Sequence, residues 1–106
     1  MGSVDRVCQV LVPLVVECLA GGAGVCAEAF RAGLSRDVEV MRAASLAASA
    51  EEVLDRLGGA LAVAKLSGDD ASADRVGAAR RMVAGMLAES HERIRGRLAV
   101  LAGEAS

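Results

Sequence analysis

The chain has 106 residues and a net charge of −2 at pH 7, which predicts one domain and gives no electrostatic case for nucleic-acid binding. Its abundant alanine, one proline and single aromatic residue, Phe30, favour an all-helical fold. Three cysteines in a chain without a credible export signal indicate free thiols in a reducing cytoplasm.

The first predicted helix spans residues 3–32 and contains the most apolar stretch of the chain. Between residues 7 and 29 the only charges are those of Glu17 and Glu28. At helical spacing the apolar side chains cover an arc of roughly 200°, against the ~100° of an ordinary surface helix. A helix with so wide an apolar arc needs neighbours on two sides, so we expect it to be central in the fold.

Proline and glycine interrupt this helix. Pro13 removes one backbone hydrogen bond and clashes with the preceding turn, so we expect a kink there or a helix that begins near it. Gly21, Gly22 and Gly24 each lower helix stability by about 1 kcal/mol relative to alanine. Because they lack side chains, they also allow another helix backbone to approach closely. The sequence therefore places the glycine patch in a helix–helix interface.

The second predicted helix spans residues 36–66. Gly33 is expected to end the first helix and Ser35 to cap the second, with Asp37 and Glu39 in its first turn. The apolar stripe predicted for the second half of this helix consists of Leu46, Ala50, Val53, Leu57, Ala60, Leu61 and Ala64.

The third predicted helix spans residues 71–101 and follows a turn in which Gly68 stops the second helix. Residues 35–70 hold seven acidic and four basic side chains, whereas residues 71–106 hold four acidic and six basic ones. These opposite balances favour an antiparallel pair of helices. The stripe predicted for the third helix consists of Val76, Ala79, Val83, Leu87, Ser90, Ile94, Leu98 and Leu101.

Together these elements predict an all-α fold. We expect three long helices in an antiparallel bundle, forming one domain over residues 1–106, with the first helix central and its cover completed by oligomerisation. The remaining apolar surface of the first helix is too wide for the stripes of the other two helices to cover alone.

Two ionisable residues are candidates for catalysis. Glu17 lies within the apolar first helix, where enclosure by an oligomer would make it an acid of interest. His91 is the only histidine and lies on the shoulder of the third stripe. Helical metal sites pair a histidine with a glutamate three residues earlier, and here that position is Ala88, so no metal site is predicted.

The cysteines are expected to act as small buried hydrophobic residues. Cys8 and Cys26 share a helix face but are about 27 Å apart along the axis, so they cannot bind one metal ion together, and Cys18 lies about 80° off that face. No Cys-x-x-Cys motif is present, and no cofactor is predicted, although a redox or metal role for the thiols stays open.

The leading functional hypothesis is a non-enzymatic interaction or oligomerisation module, an adaptor or small assembly protein. Its predicted partner is a second copy, in a homodimer or higher even oligomer, or another helical protein. One alternative is a small helical enzyme or ligand-binding bundle with a site between subunits. Another, disfavoured by the interrupted apolar stretch, is membrane association through residues 7–29. The predicted interface consists of Leu11, Val15, Cys18, Leu19, Gly21, Gly22, Val25 and Cys26.

Overall fold

The computed structural model describes residues 2–22 and 24–106. In that part of the chain it contains four helices and no strand: α1 (Gly2–Gly21), α2 (Ala27–Arg36), α3 (Val38–Leu66) and α4 (Asp70–Glu104). The predicted all-α class is confirmed. The predicted count of three helices is wrong, because the stretch expected to form one helix over residues 3–32 forms both α1 and α2.

The break between α1 and α2 follows the glycine patch. α1 ends at Gly21, Gly24 has a φ of +82°, which favours glycine, and Cys26 is extended. The amide of Cys26 donates to the carbonyl of Ala105 at 2.9 Å, so the connection is fixed to the end of α4. Pro13 lies inside α1, so the helix does not begin near the proline.

The junction between α2 and α3 is one residue, Asp37. Its carboxylate accepts a hydrogen bond from the amide of Val40 at 3.0 Å, which makes Asp37 the cap of α3. The predicted boundary is therefore wrong in detail: α2 runs through Gly33 and Ser35 to Arg36. The Ser35 hydroxyl donates back to a carbonyl of its own helix instead of capping the next one.

The long helices α3 and α4 form the predicted antiparallel hairpin. Gly68 adopts a φ of +71° at the turn, which confirms it as the stop of α3. Asp69 then caps α4 by accepting from the amide of Ser72 at 3.1 Å. The hairpin makes the molecule elongated, at 56 × 26 × 21 Å.

α1 lies along one side of this hairpin, antiparallel to α3 and parallel to α4. Near its start Arg6 pairs with Asp55 at 3.3 Å, and near its end Glu17 pairs with Arg95 at 3.4 Å. Its 20 residues span about 30 Å, whereas the 35 residues of α4 span about 52 Å. α1 therefore covers only the half of the hairpin that lies away from its turn.

The core lies between α1, α3 and α4 and is closed at one end by α2. Ile94 and Leu98 of α4 are fully buried, and Phe30 brings α2 against them in the same cluster. The stripe predicted for the third helix is confirmed, since all its members are buried or half-buried. A hypothetical Cβ on Gly33 would lie 3.2 Å from Leu101, so α2 packs closely on α4.

The buried face of α3 agrees with the predicted stripe only in part. Ala50, Leu57, Leu61 and Ala64 are buried or half-buried, whereas Leu46 is 51% exposed and Val53 and Ala60 are also exposed. In the first half of α3 the inward residues are alanines, because the large side chains of Ile94 and Leu98 on α4 fill the space between the helices there. The face of α3 that meets α4 advances in alternating steps of three and four residues: Val40, Ala43, Ala47, Ala50, Leu54, Leu57, Leu61 and Ala64.

Candidate interaction surfaces

The outer side of α1 carries an uncovered apolar strip. Val4 is 72% exposed, Val12 58% and Val16 60%. Cys8 and Leu19 are also exposed, and helical geometry places all five within about 120° of one another around the helix. We call these five residues the α1 strip. They form the longest run of exposed apolar side chains on any one side of α1.

Only part of the predicted interface lies on this outer side. Leu11 is buried in the core of its own chain, and Val15, Cys18 and Val25 are half-buried against that core. Sequence reasoning missed Val10, which is 4% exposed and lies on the side of α1 that packs against the hairpin. The remaining predicted interface residues, Leu19, Gly21, Gly22 and Cys26, are exposed except for half-buried Gly22.

Gly22 lies beyond the last residue of α1, and an added Cβ would meet Val25 of the same chain at 3.2 Å. A larger residue at position 22 would therefore disturb the connection between α1 and α2 within a single chain. The place of Gly22 in an interface with a second copy stays a prediction.

Glu17 and Cys18 lie together at a groove of about 400 Å³ between α1 and α4. Arg95 of α4 donates to Glu17 at 3.4 Å and to Glu92 at 2.9 Å. The hydrogen bond to Glu92, followed by the charge of Glu17, raises the pKa of Arg95 above its usual value. The guanidinium is thus held by two carboxylates, and the groove presents a solvent-exposed ion pair, an arrangement that contributes little to stability.

The thiol of Cys18 donates to the carbonyl of Leu98 at 3.6 Å across this groove. Cys8 and Cys26 are exposed in the single chain, so the expected burial of these two thiols would require cover by a second copy. The reason is the side that α1 presents to the hairpin: Cys8 lies on the α1 strip, and Cys26 lies in the connection that precedes α2.

His91 is half-buried on α4 and does not line the groove that contains Glu17. The structure therefore does not bring the two candidate catalytic residues together there. Across residues 2–22 and 24–106, no three His, Cys, Asp or Glu side chains gather as they would around a metal ion.

A second uncovered surface lies on the opposite side of the hairpin. Six residues line a depression of about 100 Å³ there, which we call the rear groove: Leu46, Ala50, Met86, Glu89, Ser90 and Arg93. Arg93 and Arg95 are two residues apart, about 200° around α4, and Arg95 faces α1. The rear groove and the α1 strip are therefore on opposite sides of the molecule.

No helix in the described ranges combines the length and apolar character that crossing a membrane requires. Comparison with known proteins gives no match to the chain among family models, curated proteins or solved structures.

Proposed function

We propose that the chain is a non-enzymatic helical interaction module that self-associates through the α1 strip. The exposure of Val4, Val12 and Val16 on one side of one helix is the observation that carries this proposal. Single exposed apolar residues are common on protein surfaces, but a contiguous run of them is typical of a binding surface. Its three free cysteines support a reducing, cytoplasmic setting.

A second copy is the partner that this strip fits best. The strip extends about 22 Å along α1, from Val4 to Leu19, and the charged residue beside it is Asp5 near its start. A twofold axis would place the same apolar surface of two chains face to face. Burial of valine side chains in such a contact contributes roughly 1.5 kcal/mol or more for each.

The test is the absolute molar mass in solution, without detergent. The wild-type chain is expected as a dimer or higher even oligomer at micromolar concentration. The double variant Val12→Lys with Val16→Lys should give a smaller species, because two charges would be buried without partners. Val63→Lys is the matched control, since Val63 is 65% exposed but lies on α3, away from the strip. It should leave the mass unchanged.

Circular dichroism of all three proteins separates loss of association from loss of folding. The strip variants should keep wild-type helical content, because the substituted side chains are already exposed in the single chain. A wild-type chain that is a folded monomer at micromolar concentration would contradict the proposal. So would an oligomer whose mass the strip variants leave unchanged.

A further inference from the structure

Apolar and polar side chains line the rear groove in similar proportion. Leu46 and Met86 are both about half exposed, and the small residues Ala50 and Ser90 form the floor between them. Two further exposed side chains extend the apolar surface along the hairpin: Val53, two turns beyond Leu46, and Met82, one turn before Met86.

Glu89 and Arg93 are the charged residues of this groove. They are four residues apart on α4, about 6 Å along its axis. Within the described chain neither takes part in an ion pair, whereas the neighbouring Glu92, Arg95 and Arg97 all do. An acid and a base that are exposed, adjacent and unpaired form a charge pattern that is complementary to itself.

A twofold axis between these two residues satisfies that pattern. If two copies of α4 cross antiparallel with the axis midway between positions 89 and 93, Glu89 of one copy lies opposite Arg93 of the other, and the pair occurs twice. The same operation brings the Leu46 and Met86 surfaces of the two copies together. Methionine adapts its shape readily to such a contact.

We propose that the rear groove is a second self-association face, occupied by the rear groove of another copy of this chain. The inference rests on the proposed function in that the partner is again this chain, but it uses the opposite side of the hairpin. Two faces on opposite sides join more than two chains, so the wild-type protein assembles beyond a dimer.

The experiment isolates the rear groove by using the Val12→Lys, Val16→Lys variant as the background. This background is expected as a dimer held by the rear groove alone. Adding Glu89→Arg places arginines opposite arginines, and adding Arg93→Glu places glutamates opposite glutamates. Each is expected to raise the dimer dissociation constant by about tenfold or more. Arg80→Glu is the control, because Arg80 lies on α4 but outside the rear groove.

Mixing the two charge variants provides the decisive measurement. A chain with Glu89→Arg presents two bases, and one with Arg93→Glu presents two acids, so their mixture should form a heterodimer of dimer mass. A change that acts only within one helix would not be rescued by mixing. Circular dichroism of each variant checks that the helices stay formed.

The outcomes distinguish the two proposals. A folded background variant that is already monomeric would overturn the rear-groove inference and leave the α1 strip in place. A background with wild-type mass would overturn the α1 strip, and the charge series would then decide the rear groove alone. Charge variants that keep the dimer mass, a mixture that stays monomeric, or disruption by Arg80→Glu as strong as by Arg93→Glu would each overturn the inference.

Discussion

Arg97 of α4 donates two hydrogen bonds to one carboxylate oxygen of Asp37, the residue that caps α3. The Nε atom lies 3.1 Å from Oδ2, and Nη2 donates to the same oxygen. The other carboxylate oxygen accepts from the amide of Val40 at 3.0 Å. One side chain, only 6% exposed, thus ends α2, begins α3 and holds both against α4.

This contact makes stability depend on pH. The hydrogen bond from Arg97, followed by that from the Val40 amide, lowers the pKa of Asp37 below its usual value. Because the folded pKa is below the unfolded one, the ionised carboxylate stabilises the fold above the unfolded pKa of about 3.9. That contribution is lost as pH falls through the folded pKa. The melting temperature, measured from pH 7 to pH 2, should therefore fall at low pH, and this fall should be smaller in the Asp37→Asn variant.

Substitution at Asp37 should separate its two roles. Asparagine caps helices about as well as aspartate, so Asp37→Asn removes mainly the charge that Arg97 binds, and it should lower the melting temperature at pH 7. Asp37→Ala also removes the cap and should cost roughly a further 1 kcal/mol. Asp69→Asn is the control, because Asp69 caps α4 through Ser72 in an exposed turn. An equal fall in melting temperature for Asp37→Asn and Asp69→Asn would contradict the role of Arg97.

The alanine face of α3 predicts an unusual order of mutational effects. Ala47 of α3 is fully buried in the core, so Ala47→Leu should destabilise the chain by about 1–3 kcal/mol through overpacking. Leu46 is half exposed, and Leu46→Ala should cost less than Ala47→Leu. Urea unfolding at submicromolar concentration, where association is weakest, measures both. The reverse order would mean that the leucine stripe packs inward.

The buried faces of α4 and α3 show how far the sequence predicts this fold. On α4 the large residues Ile94 and Leu98 mark the buried face, and the predicted stripe is correct. On α3 the buried face consists mostly of alanine, which occurs on every side of the helix and carries little pattern. Leu46 and Val53 therefore dominate the apolar periodicity of α3, although both are exposed.

The break after α1 and the contacts of Glu17 show a second limit of prediction from the sequence. Apolar periodicity continues through the glycine patch, so it predicts one helix, but Gly24 is in a left-handed conformation and the chain turns there. The pairing of Glu17 with Arg95 depends on α1 lying parallel to α4. Nothing in a single sequence fixes that relative position, so the groove between these helices was not predictable from the residues that line it.

Two glycines in α3 and one in the following turn should respond oppositely to alanine. Gly58 and Gly59 are helical, and a Cβ on either would meet no atom within 4 Å. Replacement of either by alanine should stabilise the chain by about 0.5–1 kcal/mol. Gly68→Ala should destabilise it, because a φ of +71° strains any residue with a Cβ. Denaturant unfolding of the three variants tests the assignment, and stabilisation by Gly68→Ala would contradict it.

The cysteines provide three probes of association within one chain. Cys8 lies on the α1 strip, Cys26 is exposed outside it, and Cys18 is half-buried with its thiol directed to the Leu98 carbonyl. In dilute solution Cys8 and Cys26 should react quickly with a thiol reagent, and Cys18 slowly. At concentrations where the chain self-associates, only the reaction of Cys8 with the reagent should become slower, because only this thiol would be covered by a second copy.

Labelling therefore also decides whether Cys26 belongs to the interface, as the sequence predicts, or lies outside it. Peptide mapping after short exposure to the reagent measures each thiol separately, and denaturant should make all three equally reactive. In the Val12→Lys, Val16→Lys variant Cys8 should react at its dilute-solution rate at every concentration, because the strip no longer pairs. If Cys8 and Cys26 both kept their dilute-solution rates in a proven oligomer, the α1 strip would lie on an outer surface and the chains would be joined through another face.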